Sequence, residues 1–201
     1  MPDTAATRVG NSAPPSGRLR RAERRDQILA AAIRAFARAG YAATNLDDVA
    51  AEAGITRVIL YRHFDSKADL YRAVLDRACH RIADTVGTDD FGDDALPALL
   101  RAAAADPDGF RLLFRYAARE PEFRDVVDGL TAGSAEVARR NLARRLPPGP
   151  WSDWAARIIP TITIEAVIGW LDAGQPDPGQ AAERVGKIVR AVIDAALPHI
   201  D

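Results

Sequence analysis

The stretch Thr56 to Phe64, TRVILYRHF, sets hydrogen-bond donors on Arg57, Tyr61, Arg62 and His63 beside the bulky apolar side chains of Val58 and Ile59. Wound as a helix with Leu60 and Phe64 facing inward, it carries Val58 about 200° round from Leu60, away from any core, and leaves Ile59 half turned in. Apolar groups exposed next to an arginine suit the major groove of DNA. The Arg57 guanidinium can donate two hydrogen bonds to O6 and N7 of guanine, and Val58 and Ile59 can pack on thymine methyls. Ile59 has a second reading, as packing against an earlier helix.

Donors on either side suit phosphates. Thr44 and Asn45 begin one helix, Thr56 begins the next, Tyr61 and His63 follow along it, and Lys67 begins a further one; helix N-termini themselves favour anions. Lys67 is the sharper case, because 25 of the 27 basic residues are Arg. A lysine in the first turn opposes its own helix dipole by about 0.3 kcal/mol or more, which suggests a negative group nearby, with plain solvation as the alternative.

Local signals place these groups on helices. Ile28, Leu29, Ala32, Ile33 and Phe36 recur at helical spacing from about Ala22, and Gly40 stands where a C-terminal cap belongs. In TNLDDVAAEAG, Thr44 or Asn45 with Asp47 or Asp48 forms a capping box ahead of the inner face Leu46, Val49 and Ala50. Gly54 ends that helix and Thr56 caps the next after about three residues, the helix-turn-helix pattern. Ser66 and Asp69 start a fourth helix. Later helices are expected over 93–105, 107–119, 121–146, 151–173 and 178–197, divided at Pro107, Pro121, the PPGP of 147–150, and Pro176. Pro160–Ile164 alternates like a strand, but one strand would lack a partner, so a helix bent at Pro160 is expected. Residues 1–21 read as a flexible basic arm, 22–68 as a helix-turn-helix domain and 69–201 as a second helical domain.

Composition narrows the function. At 201 residues the chain can bury its own core, and with one Cys and three His it has no metal-binding cluster. Cys79 is a packing residue or, as the alternative, a redox sensor. No Gly-rich phosphate loop after a strand, nucleophile elbow or metal pair appears, so no catalytic residue, no metal and no cofactor are expected and the chain is not read as an enzyme. Nor does an apolar run approach the ~18–20 residues of a membrane span, or the N-terminus resemble a signal peptide. A cytoplasmic protein, neither inserted nor exported, is the expectation. The net charge of −1 hides an asymmetry: residues 1–84 carry 14 Lys/Arg against 10 Asp/Glu, and residues 85–201 carry 13 against 18. A basic module that meets a polyanion fits this split. A helical module making protein contacts is the rival.

The segment GYAATNLDDVAAEAGITRVILYRHFDSKADLYRAVL, Gly40 to Leu75, resembles the DNA-binding domain of TetR-type transcriptional regulators, with LYRHFDSKADL its most diagnostic piece. The resemblance covers about 50 residues with the first helix. It implies an all-α homodimer of about nine helices that binds double-stranded DNA, with two C-terminal helices from each subunit forming the dimer interface. It also implies bases approached by Arg57, Val58, Ile59 and Tyr61, and phosphates held by Thr44, Tyr61, His63 and Lys67. Val58 stands where many members carry a small residue or proline.

For that family the C-terminal half senses a small molecule. Candidate pocket residues are Phe110, Phe114, Phe123, Val127, Trp154 and Glu165, although apolar faces at helical spacing also describe an ordinary core. Glu165 is a lone acid that would meet a ligand or a partner subunit. Arg111, Arg115 and Arg119 form a stripe that would attract an anion or simply be solvated. Dimerisation fits Ile162, Val167 and Trp170 in one helix, with the ridge Val185, Ile188, Val189 and Val192 in another. A repressor that binds a palindromic operator as a dimer and is released by a small-molecule effector is the expected function. A regulator without an inducer is the variant reading.

Overall fold

The structure, a computed structural model, describes residues 16–88 and 90–198, the side chains of 16–20 excepted. Among the described residues there are nine α-helices and no strand. Residues 1–15 of the expected arm lie outside the described residues. From Ser16 the backbone is already helical, six residues ahead of the apolar period, because the Arg and Leu residues of this stretch favour a helix even where no core claims them.

α1 (Ser16–Ala43) is kinked at Gly40, whose φ of 79° is open to a residue without Cβ. α2 (Leu46–Glu52) is capped by Asn45, whose side chain accepts from Asp48 N at 2.8 Å while the Asp48 carboxylate accepts from Asn45 N at 3.3 Å. Gly54, at φ 64°, turns the chain into α3 (Arg57–Tyr61), capped by Thr56. α4 (Lys67–Val86) begins at the Ser66 cap. α5 (Ala95–Ala105) and α6 (Pro107–Arg111) follow. The single helix expected over 107–119 is wound three ways: α6, a π turn (Leu112–Tyr116) and a 3-10 turn (Ala117–Arg119), with a second 3-10 turn at Pro121–Phe123. Pro121 forces Glu120 into extended backbone and stops the run. α7 (Arg124–Leu142), α8 (Pro150–Asp172) and α9 (Pro178–Ala195) complete the chain. α8 is helical through Pro160, so the strand-like alternation there does not mark a strand.

One core joins what reads as two domains. Ile28, Ile33 and Phe36 of α1, Val49 of α2, Leu60 and Phe64 around α3, and Leu70, Tyr71, Val74 and Leu75 of α4 pack in a cluster that continues into Leu112, Leu113, Ala117 and Phe123. The core does not break at residues 68–69, which fall in the first turn of α4. Tyr71 meets Phe36 edge to face at 4.8 Å and Phe123 at 4.6 Å, both distances favourable for aromatic pairs. Arg72 fastens the same junction, donating to Asp125 and to the Glu122 carbonyl, each at 2.9 Å.

α8 departs from one expectation. By length and composition alone it could cross a membrane, contrary to the reading that no apolar run comes close. The reason is that both its faces are apolar: Val167, Ile168 and Leu171 are buried within the chain with Ile164 packed beside them, whereas Ile158 and Ile162, on the other side, are only half-buried.

Gly109 is tightly placed. A Cβ there would sit 2.6 Å from Asp106 Oδ2, the carboxylate that caps α6 through Gly109 N and pairs with Arg81 at 2.9 Å. Gly129, in mid-α7, has nothing near its missing Cβ. Urea denaturation is therefore expected to show Gly109→Ala destabilised by ~1–2 kcal/mol through the lost cap, and Gly129→Ala stabilised by ~0.4–1 kcal/mol. Equal effects of one sign would contradict this account.

Candidate nucleic-acid interface

The helix-turn-helix presents one face of α3 to solvent. Leu60 and Phe64 anchor it in the core at 0% and 1% exposure, while Val58, in the first turn, is 65% exposed. Ile59 is half-buried, between its two expected roles. Arg57 lies along the exposed face, donating to Asp47 of α2 at 2.9 Å and to the Tyr61 hydroxyl at 3.2 Å. Both charges of the Arg57–Asp47 pair are largely exposed, so the pair holds the guanidinium ready at little energetic cost to its release. Asp47 and Tyr61 thus preorganise Arg57, a role for Asp47 that its type and position alone did not reveal. Gln27 is a second residue that sequence reasoning missed: its amide donates to Ala53 O at 2.7 Å and ties α1 to the turn.

Two expected phosphate donors are corrected. Thr44 is 2% exposed, and its hydroxyl is turned onto the carbonyls of Gly40 (2.7 Å) and Ala35 (3.2 Å). The Lys67 ammonium donates to the carbonyls of Tyr41 (2.9 Å), Thr44 (3.1 Å) and Ala42 (3.2 Å), and sits 4.5 Å from the Tyr41 ring centre. All three of its protons are used. The common cause is the end of α1, whose last carbonyls have no partner within the helix and need donors from elsewhere. The negative group that Lys67 called for is the C-terminal end of another helix. Asn45, Thr56 and Tyr61 remain exposed. Among the described residues the hydroxyl hydrogens of Thr56 and Tyr61 and the side-chain amide N–H groups of Asn45 meet no acceptor, while their oxygens hold the caps and Arg57. His63 is half-buried, and burial first, then Arg21, Arg25 and Arg24, pushes its pKa below the ordinary 6.5.

Residues 28–74 match the family model described as bacterial regulatory proteins, tetR family. FasR of Mycolicibacterium smegmatis, named a transcriptional activator, is 45% identical over 84 residues, 38% of each chain. The transcriptional regulator TtgR of Pseudomonas putida is 52% identical over 54 residues, 27% of this chain and 26% of its own. Residues 28–74 are thus of the tetR-family type. The matches span well under two thirds of those relatives, so the likeness in sequence is that of the DNA-binding domain. Over the whole fold, the crystal structure of NalD, described as the secondary repressor of the MexAB-OprM multidrug efflux pump in Pseudomonas aeruginosa, superposes with a TM-score of 0.67 at 21% identity, covering 87% of this chain and 97% of that one. At that identity the likeness is one of fold.

The likeness is thus to the DNA-binding part of proteins named transcriptional regulators, and those names give an enzyme no support. The chain's C-terminal residues fall differently from the sequence reading. Phe123 belongs to the core shared with α1 and α4, Phe110 to a cluster of α5, α6, α8 and α9, and Trp154 to one of α7, α8 and α9. Phe114 touches the first two, Val127 packs on the first, and Glu165 is exposed. These six residues do not line one cavity. A cleft of about 170 Å³ lies instead between α1, α4 and α6, among Arg34, Arg77, Arg81, Asp106 and Asp108. Of the Arg stripe, Arg111 and Arg115 both grip Asp172, at 3.0 and 2.8 Å, and so pin the π turn to the end of α8. Among the dimer candidates Val167 and Val185 are 0% and 5% exposed within one chain and cannot face a partner, whereas Ile188 is 39% exposed and Ile162, Val189 and Val192 are half-buried. Trp170 donates through its indole to Pro176 O at 2.9 Å. Burial holds the Cys79 thiol up at a pKa of about 11, so it is a packing residue with little thiolate to react.

Two measurements check this interface in the free protein. Lys67→Met, which keeps the stem and removes three donors, is expected to cost ~1–3 kcal/mol in urea denaturation; an unchanged midpoint would return Lys67 to the list of spare cations. His63 takes up its proton later when folded than when unfolded, so stability is expected to fall as pH drops below about 6.5 toward the folded value, and His63→Gln is expected to remove that part of the slope.

Proposed function

We propose that the protein is a repressor which binds a palindromic operator as a homodimer and leaves it when a small molecule binds the C-terminal domain. The observation that carries the reading is Val58, a valine 65% exposed in the first turn of α3, directly beside a preorganised Arg57. Thymine methyls and a guanine edge give that pairing a purpose that solvent does not. Arg57, Val58, Ile59 and Tyr61 read bases, and Asn45, Thr56, Tyr61 and His63 hold phosphates. Thr44 and Lys67 act by setting the angle between α1 and α2.

Homodimerisation is supported by the outer face of α8 and α9. Ile158 and Ile162 on one helix and Ile188, Val189 and Val192 on the other leave an apolar face unfinished within the chain. Glu165 lies on the exposed side of α8 and meets the partner subunit in this reading. Pairing fixes the distance between two α3 helices, which must match half-sites about 34 Å apart or a multiple of that. An effector that alters this distance needs a coupling of only ~1–3 kcal/mol to release the operator. The place that best suits it is the π turn at Leu112–Tyr116, since π turns recur at functional sites and Phe114 there spans two core clusters. Repression is preferred to activation because occupancy of the operator alone suffices for it. The site of action is the cytoplasm, where the DNA is.

Footprinting on DNA flanking the protein's own coding region is the test. Two protected half-sites related by a dyad are expected, and no protection by a folded dimer would overturn the reading. Arg57→Ala is expected to relax one base position in each half-site by ~1–3 kcal/mol of discrimination. Unchanged preference would remove Arg57 from the base-reading set.

A further inference from the structure

The inward stripe of α1 does not stop where its core stops. Ile28, Leu29 and Ala32 are buried, but one turn earlier the same stripe carries Arg25, Arg24 and Arg21, all exposed. At 100° per residue the three arginines lie within about 100° of one another, centred on the direction of Ile28. The nearby acids fall elsewhere: Glu23 lies about 200° and Asp26 about 140° round the helix from Arg21, and Asp26 is held by Arg77 of α4 at 2.9 Å. Among the described residues none of the three arginines forms an ion pair. Arg24 donates to the neutral Gln27 at 2.8 Å, and Arg25 stacks on the Phe64 ring at 4.7 Å.

That stacking fixes where the cluster faces. Phe64 is the anchor that closes α3, and His63 beside it has Arg21, Arg24 and Arg25 near enough to depress its pKa. The arginines therefore sit past the C-terminal end of the recognition helix, beside His63 and Phe64. Three like charges gathered on one exposed face, with no acid paired to them among the described residues, make a positive patch open to an anion. We infer that Arg21, Arg24 and Arg25 form a second DNA contact, gripping the phosphodiester backbone next to the groove that α3 enters. From Arg21 to Arg25 the helix rises about 6 Å, under two base-pair rises of one strand at about 3.4 Å each, so the three guanidiniums reach adjacent phosphates of one strand. The contact carries no sequence information; it holds register while Arg57 and Val58 read. It rests on the reading of α3 as a DNA-recognition helix.

The test compares the full-length protein with the triple variants R21A/R24A/R25A and R21K/R24K/R25K on the footprinted operator, with R144A/R145A on the C-terminal domain as a control for general charge. Affinity is measured against salt, and circular dichroism confirms the fold. The alanine variant is expected to lose ~0.9 from the slope of log K on log salt for each phosphate released, up to roughly 3 units, with base preference unchanged. The lysine variant is expected to recover most of that slope, and R144A/R145A to keep it. A folded alanine variant with the wild-type slope would overturn the inference while leaving α3 as the reader. The inference also fails if R144A/R145A loses as much slope per charge. Should the wild-type protein bind no DNA at all, the fault lies with the reading of α3 itself. If the alanine variant does not fold, R21Q/R24Q decides, because it keeps the Arg25 stack on Phe64: it is expected to lose up to roughly 1.8 units of slope, and a folded R21Q/R24Q protein with the wild-type slope overturns the inference.

Discussion

The end of α1 is the point on which the DNA-binding half turns. At Gly40 the helix breaks, the chain must reverse toward α2, and a row of carbonyls is left without helical partners. Thr44 answers from one side and the Lys67 ammonium from the other, so that the last turn of α1, the cap of α2 and the first turn of α4 meet at one cation. A lysine that opposes the dipole of its own helix is here the complement of another's. Because Lys67 is the first residue of α4, the clamp also joins the helix-turn-helix to the helix that enters the rest of the molecule.

That joining is continued by packing. Tyr71 and Val74 of α4 belong to the same core as Phe36 of α1 and as Leu112, Leu113 and Phe123 beyond residue 100. The aromatic contacts among Phe36, Tyr41, Tyr71 and Phe123 make this junction dense. Its one defect is the Tyr71 hydroxyl, buried without a hydrogen-bond partner among the described residues. A buried unsatisfied hydroxyl costs about 1–3 kcal/mol, and it lies at the seam where the helix-turn-helix meets the later helices. Close-packed interiors move as units. Leu112 and Leu113 of the π turn are in that interior, in one core with α1 and α4.

The C-terminal half shows why an apolar face in a sequence is ambiguous. α8 is apolar round most of its circumference, and chain composition alone does not tell a membrane span, a core helix and an interface helix apart. Once folded, Val167 and Ile168 are inside and Ile162 is at the rim. Val185 and Ile188 on α9 divide in the same way, three residues apart yet one buried and one exposed.

Local rules settled a good deal before any tertiary contact was known. Caps at Asn45, Thr56 and Ser66, the break at Gly40 and the turn at Gly54 are decided within a few residues of backbone, and they place the helices and the helix-turn-helix. The exposure of Val58 follows from its angle to Leu60 and Phe64 on one short helix. What needed the tertiary structure was every property that depends on a second helix: the carbonyls that hold Lys67 and Thr44, the Asp47 that steadies Arg57, and the division of the pocket residues among three clusters. It also decided which valine of the α9 ridge faces inward. Helical periodicity states which residues share a face; the neighbour that covers that face is chosen by contacts between residues far apart in the chain.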